Sequence, residues 1–188
     1  MKRPAPVSYV EDRIAIVPNF DAPSRCSGPV TPTFRWYGYP QCEVGHDVNV
    51  AVAVLVDAIS PAGRLWNPWS IQMAKSEFKQ RILRAQRGEL RPVDEVKPVD
   101  VANPPPLYEI RWQGIPVTDQ LPDGSRRHGE VLVRMYHSEP AEAPSHFIGH
   151  HAHEKDVAVE DVNAAQQQEI RTAIGWHNQG QPSRWGLP

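Results

Sequence analysis

Two kinds of side chain that suit phosphate chemistry lie in the C-terminal half of the chain. Arg111 and Arg134 carry planar guanidinium groups, which bind phosphate oxygens through two parallel hydrogen bonds. The segment FIGHHAHEK supplies three histidines and a lysine, namely His150, His151, His153 and Lys155. Imidazole titrates near neutral pH, so a histidine can accept or donate a proton under physiological conditions. These residue types favour a site that holds a phosphate group and moves protons around it.

Alternating sequence patterns predict that strands position these side chains. Residues 108–112 read YEIRW and residues 131–136 read VLVRMY, and a period of two with aromatic and β-branched residues is typical of half-buried strands. Residues 147–151 extend as a third short strand. Three adjacent strands would then share a face that carries Arg111, Arg134 and some of the histidines.

Two helices are predicted from their capping residues and apolar stripes. Residues 67–88 begin with Asn67 as a cap and Pro68 at the first helical position, and Gly88 suits the left-handed residue after the end. Residues 161–178 form the second helix, with an aspartate as its cap and apolar residues on one side. The sequence therefore predicts one helix before the three strands and one after them.

Two further segments are less regular. Residues 48–59, VNVAVAVLVDAI, combine strand-favouring valines with a helical length, and we expect a helix. Residues 114–129 are polar, with a turn at Asp123-Gly124, and are predicted to form an exposed, mobile loop.

Composition and charge limit the class of protein. The chain has 188 residues, enough for one domain with an extension. Lys and Arg number 20 and Asp and Glu 22, so any anion site must be local rather than part of a general basic surface. The chain has no apolar run of about 18 residues, which predicts a soluble, cytoplasmic protein with no membrane partner. The 20 prolines are roughly twice the average usage, and many lie in the first forty residues.

The two cysteines form no recognised motif. Cys26 and Cys42 lack CxxC spacing, so neither a disulfide framework nor a cysteine zinc site is predicted. A single bridge between them and two free thiols both remain open, and two free thiols are the simpler interpretation.

The order of these elements resembles that of the RelE/HigB toxins of type II toxin–antitoxin systems, in the RelE/ParE superfamily. The resemblance rests on GELRPVDEVKPV followed by PPLYEIRW, and on FIGHHAHEKD followed by QQQEIRTAI. It implies an α+β fold in which helices pack on a small antiparallel sheet. Residues 66–188 would form the toxin domain, and residues 1–65 a partly irregular, proline-rich N-terminal extension.

The resemblance also implies an activity and partners. Such toxins cut mRNA, commonly on the ribosome, without a metal or another cofactor, and a cognate antitoxin masks the active face. The implied catalytic residues are Arg111, Arg134, His151, His153 and Lys155, with the cations holding phosphate and His151 or His153 handling protons. Neither the antitoxin nor the oligomeric state follows from the sequence.

Three other interpretations are consistent with the same residues. The two arginines could form ion pairs with Glu109 or Glu130 across the sheet. A protein of the same fold could bind a protein target such as DNA gyrase, as in the ParE branch, without cutting RNA. Finally, His151 and His153 share one strand face and could form a metal-dependent hydrolase site, with a third ligand from His137, His146 or Glu154.

Overall fold

A six-stranded mixed sheet carries three helices, as described for residues 23–99, 105–157 and 161–188 of the computed structural model. The strands are β1 Thr33–Trp36, β2 Arg64–Leu65, β3 Val96–Pro98, β4 Leu107–Gln120, β5 Arg126–Ser138 and β6 His146–Lys155. The helices are α1 Asp47–Ala58, α2 Pro68–Gln86 and α3 Val162–Gly180. The predicted α+β class is confirmed.

The sheet differs from the prediction in one pairing. Its order is β1-β6-β5-β4-β2, and β3 pairs with another part of β4. The central strands β4, β5 and β6 are antiparallel neighbours, as predicted. The sheet as a whole is mixed rather than antiparallel, because β1 runs parallel to β6. A parallel pair needs a long crossover, and the helices and hairpin between these two strands supply it.

The predicted exposed loop at residues 114–129 is wrong. Only the turn around Asp123-Gly124 is outside the strands, and the flanking residues extend β4 and β5 into a long hairpin. The register shifts between Trp112 and Ile115, where Gly114 adopts a φ of 70°. The extension is hard to recognise in sequence because much of the hairpin tip is solvated, so polar residues replace the usual alternation.

Helices α1 and α2 cover one face of the sheet. In α1, Ala51 and Leu55 lie four residues apart and are completely buried, as is Ile59 directly after the helix, which confirms the helix expected there. In α2, Asn67 caps the first turn by accepting hydrogen bonds from two backbone amides. Gly88 follows the helix with a φ of 70°, as predicted.

Helix α3 covers part of the opposite face. The Asp161 carboxylate accepts a hydrogen bond from the Ala164 amide and so caps the helix. Ile170 and Ala173 pack with Tyr136 in a second, smaller apolar cluster. The two faces of the sheet therefore carry separate cores, and α3 lies over the face predicted to carry the site.

The predicted boundary at residue 65 passes through a single sheet. Strand β1, before the boundary, pairs with β6, and Arg35 in β1 forms a buried ion pair of 2.6 Å with Asp47 of α1. Residues 1–22 of the predicted N-terminal extension lie outside the described residues. Among the described residues, no helix is both long and apolar enough to span a membrane.

Candidate functional site

Strand register brings the predicted site residues onto one face of the sheet. Arg111 on β4 is opposite Arg134 on β5, and Arg134 is opposite His153 on β6. One step along, Glu109, Tyr136 and His151 occupy the equivalent three positions. Because side chains two residues apart on a strand share a face, these two rows form one patch, which we call the polar face.

Glu109 forms ion pairs with both arginines of the polar face. Its carboxylate is 1% exposed, and its Oε1 accepts a 2.7 Å hydrogen bond from Arg111 Nε. Arg134 Nε lies 3.7 Å from the other carboxylate oxygen, and Lys97 Nζ lies 3.7 Å from Oε1. The arginines thus form the ion pairs with Glu109 that were considered as an alternative to phosphate binding.

Arg134 is almost completely enclosed. Its side chain is 5% exposed, and its Nη1 donates to the backbone carbonyls of Val133 and Trp112 at 3.0 and 3.4 Å. Burial lowers the pKa of this guanidinium, and the neighbouring Glu109 partly offsets that effect. The Arg134 side chain therefore lies in the interior beneath the polar face, whereas the Arg111 side chain lies nearer the surface.

The two histidines of the polar face stand parallel. Their rings are 6.1 Å apart with planes inclined by 2°. His151 Nε2 lies 2.5 Å from Oε2 of Glu169 on α3. His153 Nε2 is 3.3 Å from the Tyr136 hydroxyl, and its Nδ1 is 3.0 Å from a backbone carbonyl oxygen, so this Nδ1 carries the proton.

The surroundings shift the ionisation of these groups in different directions. Burial lowers the pKa of His153, which favours its neutral form. The hydrogen bond from His151 lowers the pKa of Glu169 and keeps this carboxylate ionised. Burial and the charge of Glu109 raise the pKa of Tyr136, so its hydroxyl keeps its proton. One imidazole is therefore held neutral, while the other faces a carboxylate.

Lys155 marks the far end of the polar face. It lies opposite Leu132, one register step beyond the pair Arg134 and His153, and its side chain is partly exposed. Burial and the nearby Arg134 lower its pKa. At the other end, Lys97 and Glu109 line a groove beside the first turns of α3.

Sequence reasoning missed Glu169 and assigned no function to Tyr136. Alternation places Tyr136 on the face that carries Arg134, because the two residues are two positions apart on a strand. Glu169 contacts His151 only because α3 folds back over the sheet, and the sequence carries no local signal for that contact.

His150 lies away from the polar face. It is completely buried, with Nδ1 3.0 Å from the Tyr37 carbonyl oxygen and Nε2 2.8 Å from Ser138 Oγ. Burial lowers its pKa to about 3, so it stays neutral. Its contacts join β6 to the segment after β1, which is a structural role.

The alternative metal set of His151, His153 and His137 is not brought together. His137 points to the opposite side of the sheet, where it stacks on Tyr108. Its Nε2 lies 3.7 Å from Cys26 Sγ and 3.1 Å from Oε1 of Glu139. Among the described residues, the only group of three with metal-ligand geometry is Cys26, His137 and Glu139. The sequence signal for this group is the HSE spacing, because residues two apart in extended backbone point to the same side.

The comparisons with known proteins assign no family. No family model matches the chain, and no curated protein or solved structure matches it at a significant level.

Proposed function

We propose that the chain is the toxin of a type II toxin–antitoxin pair and cuts mRNA without a metal. The observation that carries the proposal is the polar face, where two parallel imidazoles, one of them bonded to Glu169, adjoin Arg134 and lie on the same face as Arg111. The order of α2, a linker, three antiparallel strands and α3 also follows the order on which the RelE/HigB resemblance rests.

The two imidazoles suit the two proton transfers of RNA cleavage. A base removes the proton of the 2′-hydroxyl, the oxygen attacks the adjacent phosphorus, and an acid protonates the leaving 5′-oxygen. His153 is the base, because burial favours its neutral form. His151 is the acid, because its Nε2 carries a hydrogen that it donates to the Glu169 carboxylate at 2.5 Å. The products are a 2′,3′-cyclic phosphate and a free 5′-hydroxyl.

The cations of the polar face would stabilise the negative charge that develops on the phosphate. Arg111 is the guanidinium nearest the surface, and Lys155 lies partly exposed beyond the histidines. Both would contact phosphate oxygens, as preorganised cations do in other phosphoryl sites. Arg134 is a positioning residue in this scheme, because it is buried beneath the site and its Nε lies 3.7 Å from the Glu109 carboxylate.

RNA cleavage by the purified chain tests the proposal directly. A single-stranded RNA is incubated with wild type, His151→Ala and His153→Ala in a buffer without added divalent cations. We expect each variant to lose about 10²–10⁴-fold in rate, the usual contribution of a general acid or base. His128→Ala is the matched control, because His128 is an exposed histidine in the outer part of the hairpin and should leave the rate unchanged.

The substrate provides a second control. RNA with 2′-deoxy sugars should resist cleavage, since the attacking oxygen is absent, and the natural product should end in a cyclic phosphate. Cleavage of the deoxy substrate would contradict the mechanism. Wild-type rates in both histidine variants would contradict the site.

Expression in a bacterial host tests the biological role. Growth arrest with new mRNA ends, lost in His151→Ala/His153→Ala and relieved by a co-expressed antitoxin, is the expected result. Arrest without new RNA ends would contradict the nuclease and favour a protein target such as gyrase. Normal growth together with no cleavage in vitro would contradict the toxin assignment.

A further inference from the structure

A second cluster of chemically active side chains lies on the other side of the sheet from the polar face. Cys26 in the short 3-10 turn Arg25–Ser27, His137 near the end of β5 and Glu139 just after it meet in the interior. Cys26 and His137 are completely buried, and the Glu139 side chain is 4% exposed. The proposed RNA cleavage makes no use of these residues.

The spacing of the three ligand atoms fits one tetrahedral zinc ion. Bonds of about 2.3 Å to sulfur and about 2.0 Å to nitrogen and oxygen, at tetrahedral angles, place S and N about 3.5 Å apart and N and O about 3.3 Å apart. The observed separations are 3.7 Å between Cys26 Sγ and His137 Nε2, and 3.1 Å between His137 Nε2 and Glu139 Oε1. All three atoms lie within 4.8 Å of one another. For the first two separations, an ion could bind with shifts of only a few tenths of an ångström.

The charges also favour a divalent cation. A thiolate and a carboxylate carry two negative charges, which Zn²⁺ neutralises. Without a cation, burial and the charge of Glu139 raise the pKa of the Cys26 thiol well above its usual range. Zinc reverses this preference, because the S–H bond breaks on binding, the proton leaves to solvent and the thiolate coordinates the ion.

The neighbours hold the ligands in place. Ser24 Oγ donates a 2.5 Å hydrogen bond to Glu139 Oε1, and the Arg25 amide donates a 2.7 Å bond to Oε2. Tyr108 stacks on the His137 ring, and Phe147 meets it edge-on. This ring makes its polar contacts at Nε2. Its Nδ1 is buried and has no hydrogen-bond partner among the described residues.

We infer that Cys26, His137 and Glu139 bind a structural Zn²⁺ ion that fastens the 3-10 turn to the end of β5. The fourth position is left to a water molecule or to the Ser24 hydroxyl, which lies beside Glu139. The ion would link residues more than 100 positions apart in the chain.

Metal analysis of the full-length protein tests this inference. The chain is expressed with zinc in the medium and purified without chelator, and we expect about one zinc ion per chain in wild type. Cys26→Ser should lose the ion. Cys42→Ser is the matched control, because Cys42 is the other cysteine, is partly exposed and lies outside the cluster, so it should keep the ion.

Cobalt binding by the wild-type protein provides a readout that does not depend on whether a variant folds. Wild type refolded with Co²⁺ should show the visible bands of tetrahedral cobalt and a thiolate-to-cobalt absorption in the near ultraviolet. Glu139→Gln, which keeps the size of the side chain, should bind Co²⁺ at least about tenfold more weakly. Wild type that holds neither zinc as purified nor cobalt after refolding would overturn the inference. Thiolate absorption that persists in Cys26→Ser would overturn it as well.

Discussion

Neutralising Glu109 should destabilise the fold and at the same time strengthen RNA binding. Glu109 is 1% exposed and is the counter-ion of Arg111 at 2.7 Å and of Arg134 at 3.7 Å. Glu109→Gln keeps the shape and one hydrogen-bond acceptor but removes the charge. Arg134, itself 5% exposed, would then be a buried cation without an anion.

The size of the effect follows from this burial. Breaking a buried ion pair costs about 3–5 kcal/mol, and we expect the lower end, about 3 kcal/mol, because glutamine can still accept from Arg111. For a chain of this size, 1 kcal/mol corresponds to about 2–4 °C, so the melting temperature should fall by roughly 6–12 °C. Circular dichroism during heating measures it. Glu89→Gln is the control, because its ion pair with Arg87 is half exposed and its loss should leave the melting temperature unchanged.

RNA binding should change in the opposite direction. With the competing negative charge gone, the Arg111 guanidinium attracts phosphate more strongly, so fluorescence anisotropy with a short RNA should give a lower Kd for Glu109→Gln than for wild type. Arg111→Ala should raise the Kd. A melting temperature within about 2 °C of wild type would refute the reasoning on burial. An unchanged or higher Kd in Glu109→Gln would refute the idea that Glu109 competes with phosphate.

Three further predictions concern the scaffold. Although burial opposes ionisation, hydrogen bonds from an α2 arginine and a backbone amide lower the pKa of Glu95 to about 2. Because its folded pKa is depressed from about 4.5, Glu95 stabilises the fold above that pH by about 3 kcal/mol. Roughly 2 kcal/mol of this contribution to the free energy of unfolding should be lost by pH 3, which urea unfolding at pH 5 and pH 3 will measure. If Glu95→Gln lost as much stability between these two pH values, the loss would not come from Glu95. Asp47→Asn removes the counter-ion of buried Arg35 and should cost about 3 kcal/mol in urea unfolding, and an unchanged midpoint would be inconsistent with this pairing. Gly88→Ala should lower the melting temperature more than Gly124→Ala. Both glycines have positive φ, but only a methyl group added at position 88 would clash with a backbone oxygen, that of Gly28, so equal losses would argue against this clash.

Local signals in the sequence located the main elements of the fold. Asn67, Pro68 and Gly88 defined α2 to within two residues, because capping depends on neighbouring backbone groups. Alternation located the three central strands and put Arg111 and Arg134 on one face. These features follow from interactions within a few residues and are therefore readable from the chain.

Long-range pairings were not predictable in the same way. Nothing near β1 specifies a parallel partner in β6, and nothing in α3 specifies that Glu169 meets His151. The same limit explains the grouping of His137 with Cys26, which are 111 residues apart. Such contacts depend on how the finished elements pack, so one sequence cannot rank them against their alternatives.

The parallel pairing of β1 with β6 has a consequence for synthesis of the chain. Thr33 must wait for His146, about 113 residues later, before it gains its neighbour. At about 5–20 residues per second, β1 remains unpaired on the ribosome for roughly 6–23 s. The polar face depends on β6 too, and on α3 after it. The polar face is therefore assembled in the nascent chain only after α3 has been made.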